Sequence, residues 1–134
     1  ERKYYMDVYK KIEENHLEDS VIFNGWVDIP EFLKEIGYTL SVSDPTEPES
    51  FHLAPFETMA SKGIGLATKW EGIEYTYPEY CQYNSINEIV EAIDKFAKDE
   101  KLYHEMSSKC QEFVVENYDI ERIWKIILKN IDGE

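Results

Sequence analysis

The sequence predicts an α/β fold, a Rossmann-like parallel sheet with helices on both faces. Two observations carry that reading. Short runs of β-branched and aromatic residues alternate with amphipathic stretches along the chain, the pattern of strands joined by crossover helices. Short apolar strands alternating with helices indicate a parallel sheet covered on both faces. At 134 residues with 43% hydrophobic content, the chain suits one domain with a packed core rather than a disordered acidic tail.

Residues 2 to 16 place Tyr5, Val8, Tyr9 and Ile12 at helical spacing among charged residues, which predicts an amphipathic helix. Val21-Ile22-Phe23 reads as a short buried strand, stopped by the turn pair Asn24-Gly25. Pro30 opens a second helix with Phe32, Leu33 and Ile36 inward, and Gly37 ends it. Tyr38 to Val42 is the next strand. The run Ser43-Asp44-Pro45-Thr46-Glu47-Pro48-Glu49-Ser50 is too rich in proline and acid for regular structure. Leu53 to Lys62 predicts a third helix, with Pro55 in its first turn and Gly63 as its C-terminal glycine. Ile64 to Thr68 is a small strand, 69–78 a loop, and Tyr80 to Tyr83 one more short strand. Three helices close the chain, over Ile86–Lys98, about 101–116, and 120–131. In doubly wound sheets ligands lie beyond the carboxyl ends of the strands, so the loops of interest are 24–29, 43–52 and 68–78.

Charge disfavours several partner classes. Against 28 acidic residues stand 14 basic ones, a net charge of −14, which disfavours nucleic acid and anionic lipid bound through basic patches. No apolar run reaches the length of a membrane span, and no signal peptide opens the sequence. Cys81 and Cys110 lack metal-ligand or C-x-x-C spacing, although a pairing between them stays open. So few cysteines fit a reducing, cytoplasmic setting. His16, His52 and His104 are too scattered for a zinc site, and no metal is expected.

The informative run is Glu49-Ser50-Phe51-His52-Leu53-Ala54-Pro55-Phe56-Glu57. With a helix beginning near Leu53, Glu49 precedes it and Glu57 lies just past its first turn. Between them, unpaired first-turn amides and the positive end of the helix dipole offer a seat for a phosphate. An acidic chain thus retains a means of holding a diphosphate, and flanking carboxylates suit sugar hydroxyls. On spacing alone the bland reading leads: in a chain with 28 acids two glutamates eight positions apart often arise by chance, and Glu57 suits an early-helix acid favoured by the dipole.

This run, continued by Thr58-Met59-Ala60-Ser61-Lys62-Gly63, resembles the E-x7-E signature of family 4 retaining glycosyltransferases of the GT-B fold. The resemblance extends through Val21–Val27, Phe32-Leu33 to Ser43, Trp70-Glu71-Gly72 with Tyr77-Pro78, and Asn117-Tyr118-Asp119 with the last helix. It implies that Glu49 is the catalytic glutamate beside the transferred sugar and that Glu57 binds the nucleotide ribose. It also implies donor contacts from Phe51 and from the His52, Leu53 and Ala54 backbone. Asn24, Gly25 and Trp26 become candidate base contacts, with plain packing an equal reading for Trp26. His52 departs from the glycine many relatives carry, and Lys69 is either a phosphate-side charge or a solvated lysine.

The resemblance implies a nucleotide diphosphate sugar as donor substrate and no cofactor. It makes residues 1–134 a single unit, most of a donor-binding C-terminal domain, an incomplete half of the GT-B architecture. That unit lacks the first βα segment with its basic diphosphate clamp. The acceptor, a glycan or lipid-linked sugar, belongs to an absent N-terminal domain, and the piece alone is expected to be inactive. Localisation is expected to be cytoplasmic, with membrane association only through the absent part. The competing readings are a sugar-nucleotide epimerase and a noncatalytic α/β module whose Tyr75, Tyr77, Tyr80 and Tyr83 face a partner.

Overall fold

A computed structural model describes residues 2–42 and 51–132. Helix α1 (Arg2–Glu14) is followed by a short helix α2 (Ile29–Phe32) that tightens into a 3-10 turn over Leu33–Glu35. Asp28 caps α2 by accepting the Glu31 amide at 3.2 Å, and Pro30 sits in its first turn. Strand β1 (Tyr38–Ser41), helix α3 (Leu53–Ala60) and strand β2 (Ile64–Thr68) form a βαβ unit. Two 3-10 turns, Ile73–Tyr75 and Glu79–Cys81, lead to strand β3 (Gln82–Tyr83). Helices α4 (Ile86–Lys98), α5 (Glu100–Tyr118) and α6 (Ile120–Asp132) complete the chain.

The three strands form one parallel sheet in the order β1-β2-β3. Helix α3 lies on the face carrying Thr39, Ser41 and Gly65: Thr39 and Thr58 share a hydroxyl hydrogen bond, and a Cβ at Gly65 would stand 2.5 Å from Met59 Cε. By strand alternation Ile64 and Leu66 face the other way. Both are fully buried, and α4 and α5 are the further helices that contact β2. The expected parallel sheet with helices on both faces is therefore present, as a three-stranded sheet among the described residues.

Helices α4 and α5 carry matching start signals. Ser85 accepts the Glu88 amide at 3.3 Å while Glu88 reaches back to the Asn84 amide at 2.8 Å, a variant of the capping box. Asp99 accepts the Leu102 amide at 2.9 Å. Along α5, Tyr103, Cys110 and Val114 join the core, and Gln111 donates to the Ala60 carbonyl at 2.9 Å.

The expected strand Tyr80–Tyr83 is reduced to Gln82–Tyr83, because Glu79–Cys81 winds into a 3-10 turn, and two further expectations fail for physical reasons. Val21-Ile22-Phe23 is not a buried strand: Ile22 is 76% and Phe23 55% exposed, and no strand pairs with the segment among the described residues. A lone extended segment has no ladder for its amides and carbonyls; here Phe23 rests instead on Tyr9 of α1, ring centroids 5.1 Å apart. Nor is Gly63 the left-handed residue ending α3. Lys62 takes that conformation at φ 68°, with the Gly63 amide bonded to the Thr58 carbonyl at 2.8 Å, a Schellman closure. Gly63 is needed for space, because a Cβ there would lie 2.5 Å from Thr58 Cγ2 and 2.9 Å from the Ile36 carbonyl oxygen.

Candidate functional site

The carboxyl ends of β1 and β2 converge on the N-terminus of α3. Ser41, the last residue of β1, hydrogen-bonds Nδ1 of His52, the residue that opens α3. Trp70 follows the end of β2 by two positions and stacks on the His52 ring, centroids 5.2 Å apart and planes 17° from parallel. His52 is extended (φ −95°, ψ 106°) and its side chain does not cap the helix. The first-turn amides, with Pro55 supplying none, have no acceptor within α3 itself.

Beneath this end lies an aromatic cluster. Phe51 stacks on Phe56 at 4.7 Å and 4° between planes. Phe56 also meets Tyr77 at 4.7 Å and Tyr118 at 4.9 Å. Trp70 stands edge-on to Tyr77, and the Tyr118 hydroxyl donates to the Thr76 carbonyl at 2.9 Å. Burial pushes the Tyr118 phenol upward, so that donor is kept protonated. The loop after β2 is thereby held between α3 and the end of α5.

The sequence-predicted site residues divide as follows. Glu49 lies outside the described residues, as does the whole run 43–50 read as irregular. Phe51 points its ring into the aromatic cluster, leaving its backbone next to the helix start. His52, Leu53 and Ala54 stand at the N-terminus of α3, and Glu57 sits exposed one turn further along. Asn24, Gly25 and Trp26 belong to the segment before α2, where Gly25 adopts φ 65°. Trp26 does not pack among the described residues: its ring is fully exposed. Of the four tyrosines read as an interface, Tyr75 is exposed at 85%, whereas Tyr77 is 2% exposed and belongs to the core.

Ser41 and Trp70 were not among the sequence-predicted site residues. Strand alternation places Ser41 on the face shared with Thr39, a signal that sequence could supply. The ring stacking depends on tertiary placement and leaves no trace in spacing.

A family model described as glycosyl transferase-like matches residues 8–129. The chain belongs to that family. Among curated proteins no match is found. The whole chain superposes on 38% of HepE from Anabaena, crystallised with UDP-glucose, at a TM-score of 0.83 and 20% identity. HepE crystallised with UDP gives a TM-score of 0.85 over 99% of this chain, again at 20% identity and 38% of the other. The C-terminal domain of LpcC, a group 1 glycosyl transferase from Francisella tularensis, aligns with 88% of this chain and 64% of its own. Its TM-score is 0.69 at 23% identity. These likenesses establish the fold, and the chain spans just over a third of the HepE chain. Among the described residues no helix is long and apolar enough to cross a membrane.

Proposed function

We propose that this chain is most of the donor-binding domain of a retaining glycosyltransferase. The intact protein moves a sugar from a nucleotide diphosphate sugar to an acceptor hydroxyl. The observation that carries this reading is the convergence of two strand ends on the start of α3, in a chain of the glycosyl transferase-like family whose fold matches a protein crystallised with UDP-glucose.

The chemistry follows from the parts. Breaking the glycosidic bond of such a donor leaves negative charge on the diphosphate and positive charge on the sugar ring. First-turn amides of α3 stabilise the former without a metal or a basic patch. Glu49 serves the developing oxocarbenium character, and Glu57 takes the ribose hydroxyls. Trp26, with Asn24 and Gly25, offers the base an exposed aromatic surface. The remainder of the site, including the acceptor pocket for a glycan or lipid-linked sugar, comes from polypeptide outside this chain. The protein works in the cytoplasm, meeting the membrane only through that remainder.

The test is calorimetry with UDP, UDP-glucose and GDP on the protein carrying its remaining domain, with and without EDTA. Glu57→Ala is expected to weaken nucleotide binding about tenfold, the loss of one to two hydrogen bonds to a carboxylate. Unchanged affinity removes the ribose role. Glu49→Ala should lower transfer far more than nucleotide affinity, and binding abolished by EDTA defeats the metal-free reading.

A further inference from the structure

We propose that Cys81 and Cys110 form a buried dithiol that a small peroxide closes to a disulfide, bracing the segment before β3 against α5. The two sulfurs are 3.6 Å apart and both residues are fully buried. They come from separate elements, the 3-10 turn Glu79–Cys81 and the middle of α5. A disulfide needs about 2.05 Å between sulfurs, a closure of roughly 1.5 Å. Closure therefore requires side-chain rotation or a small shift of the short turn toward α5.

Cys110 is held below the ordinary thiol value by the hydrogen bond from Cys81, with burial opposing and the Gly65 amide assisting. Cys81 is pushed up by that same hydrogen bond and then by burial. In this scheme Cys110 attacks and Cys81 resolves, an order that the dimedone labelling below tests.

The Cys110 thiolate attacks one peroxide oxygen. An S–O bond forms, the O–O bond breaks, and the departing hydroxide takes the Cys81 proton and leaves as water. The Cys81 sulfur then attacks the sulfenic sulfur, forming the S–S bond. The S–O bond breaks, and that hydroxide takes up the proton that Cys110 released on ionising and leaves as a second water. Two thiols are oxidised as one peroxide is reduced to two waters, and an excess of dithiol reverses the change. Because both sulfurs are covered, the reaction proceeds through local opening. The Tyr80 hydroxyl bond to the Lys109 carbonyl, 3.0 Å, and the Gln111 bond to Ala60, 2.9 Å, resist that opening. Closure is accordingly slower than at an exposed thiol.

The test treats the folded chain with hydrogen peroxide, quenches by alkylation in denaturant, and reads intact mass. Alkylatable thiols should fall from two to none, with loss of the mass of two hydrogens in a monomeric product restored by dithiothreitol. Peptide mapping should join Cys81 to Cys110. In Cys81→Ser, dimedone should label Cys110; in Cys110→Ser, Cys81 should stay largely unlabelled. Two thiols still alkylatable after prolonged treatment, cross-links only between chains, or sulfinic acid without an internal link would overturn the proposal, and none of these readouts needs a variant to fold.

Discussion

Gly65 sets how closely α3 can approach β2, and Gly65→Ala measures that approach. A Cβ there would stand 2.5 Å from Met59 Cε, 3.0 Å from Pro55 Cβ and 3.1 Å from the Pro55 carbonyl oxygen. Ordinary contact begins at 3.4 Å, so Pro55, and α3 with it, must retreat by about 0.3–0.4 Å. Met59 is fully buried and has little room to swing aside. Overpacking of this kind costs about 1–3 kcal/mol. Restricting the unfolded chain returns about 0.4–1 kcal/mol, because Gly65 does not occupy the left-handed region. The net loss is about 1–2 kcal/mol, and for a domain of this size the melting temperature should fall by about 4–8 °C. Thermal melts followed by circular dichroism, with urea titrations beside them, read both quantities. A variant melting within about 1 °C of the parent would refute the reasoning. So would a combination with Met59→Ala whose losses simply add, since neighbours sharing one contact should couple.

Lys62 holds a left-handed conformation that costs an L-residue about 1–2 kcal/mol. Lys62→Gly should therefore raise stability by about 0.5–1 kcal/mol after the extra backbone entropy of glycine, visible as a higher urea midpoint. Tyr80 and Tyr83 are pushed up from 10.0 to about 12, first by burial and then by the neighbouring cysteines. The folded chain thus keeps protons that the unfolded chain loses. Their stabilising contribution is complete below pH 10 and declines as pH rises through about 12, so chemical denaturation across that window should show falling stability. Tyr80→Phe should flatten that fall.

β1 and β2 lie where their short runs between turn residues predicted, whereas the expected strand Tyr80–Tyr83 shrinks to Gln82–Tyr83 because Tyr80 and Cys81 belong to a 3-10 turn. Val21–Phe23 has the same composition and forms no strand, since composition states a willingness to pair and only a neighbour realises it. The spacing from Glu49 to Glu57 pointed to the start of α3, and Pro55 marked its first turn. Gly63 was readable as a special position but for the wrong reason, because crowding against Ile36 is invisible in one dimension. The closeness of Cys81 to Cys110 was likewise unreadable, for it arises from α5 packing beside β2 at a remove of 29 residues.

The contacts around His52 bear on how a ligand would be received. Its ring is tied to the end of β1 through Ser41 and covered by Trp70 from beyond β2, so three separate stretches of chain are already in register before anything binds. Ordering a side chain on association typically costs about 0.5–1.5 kcal/mol. Here that loss of freedom falls on folding. A guest at the start of α3 meets a preorganised end of the sheet, and less of its attraction is consumed in assembling the place it occupies.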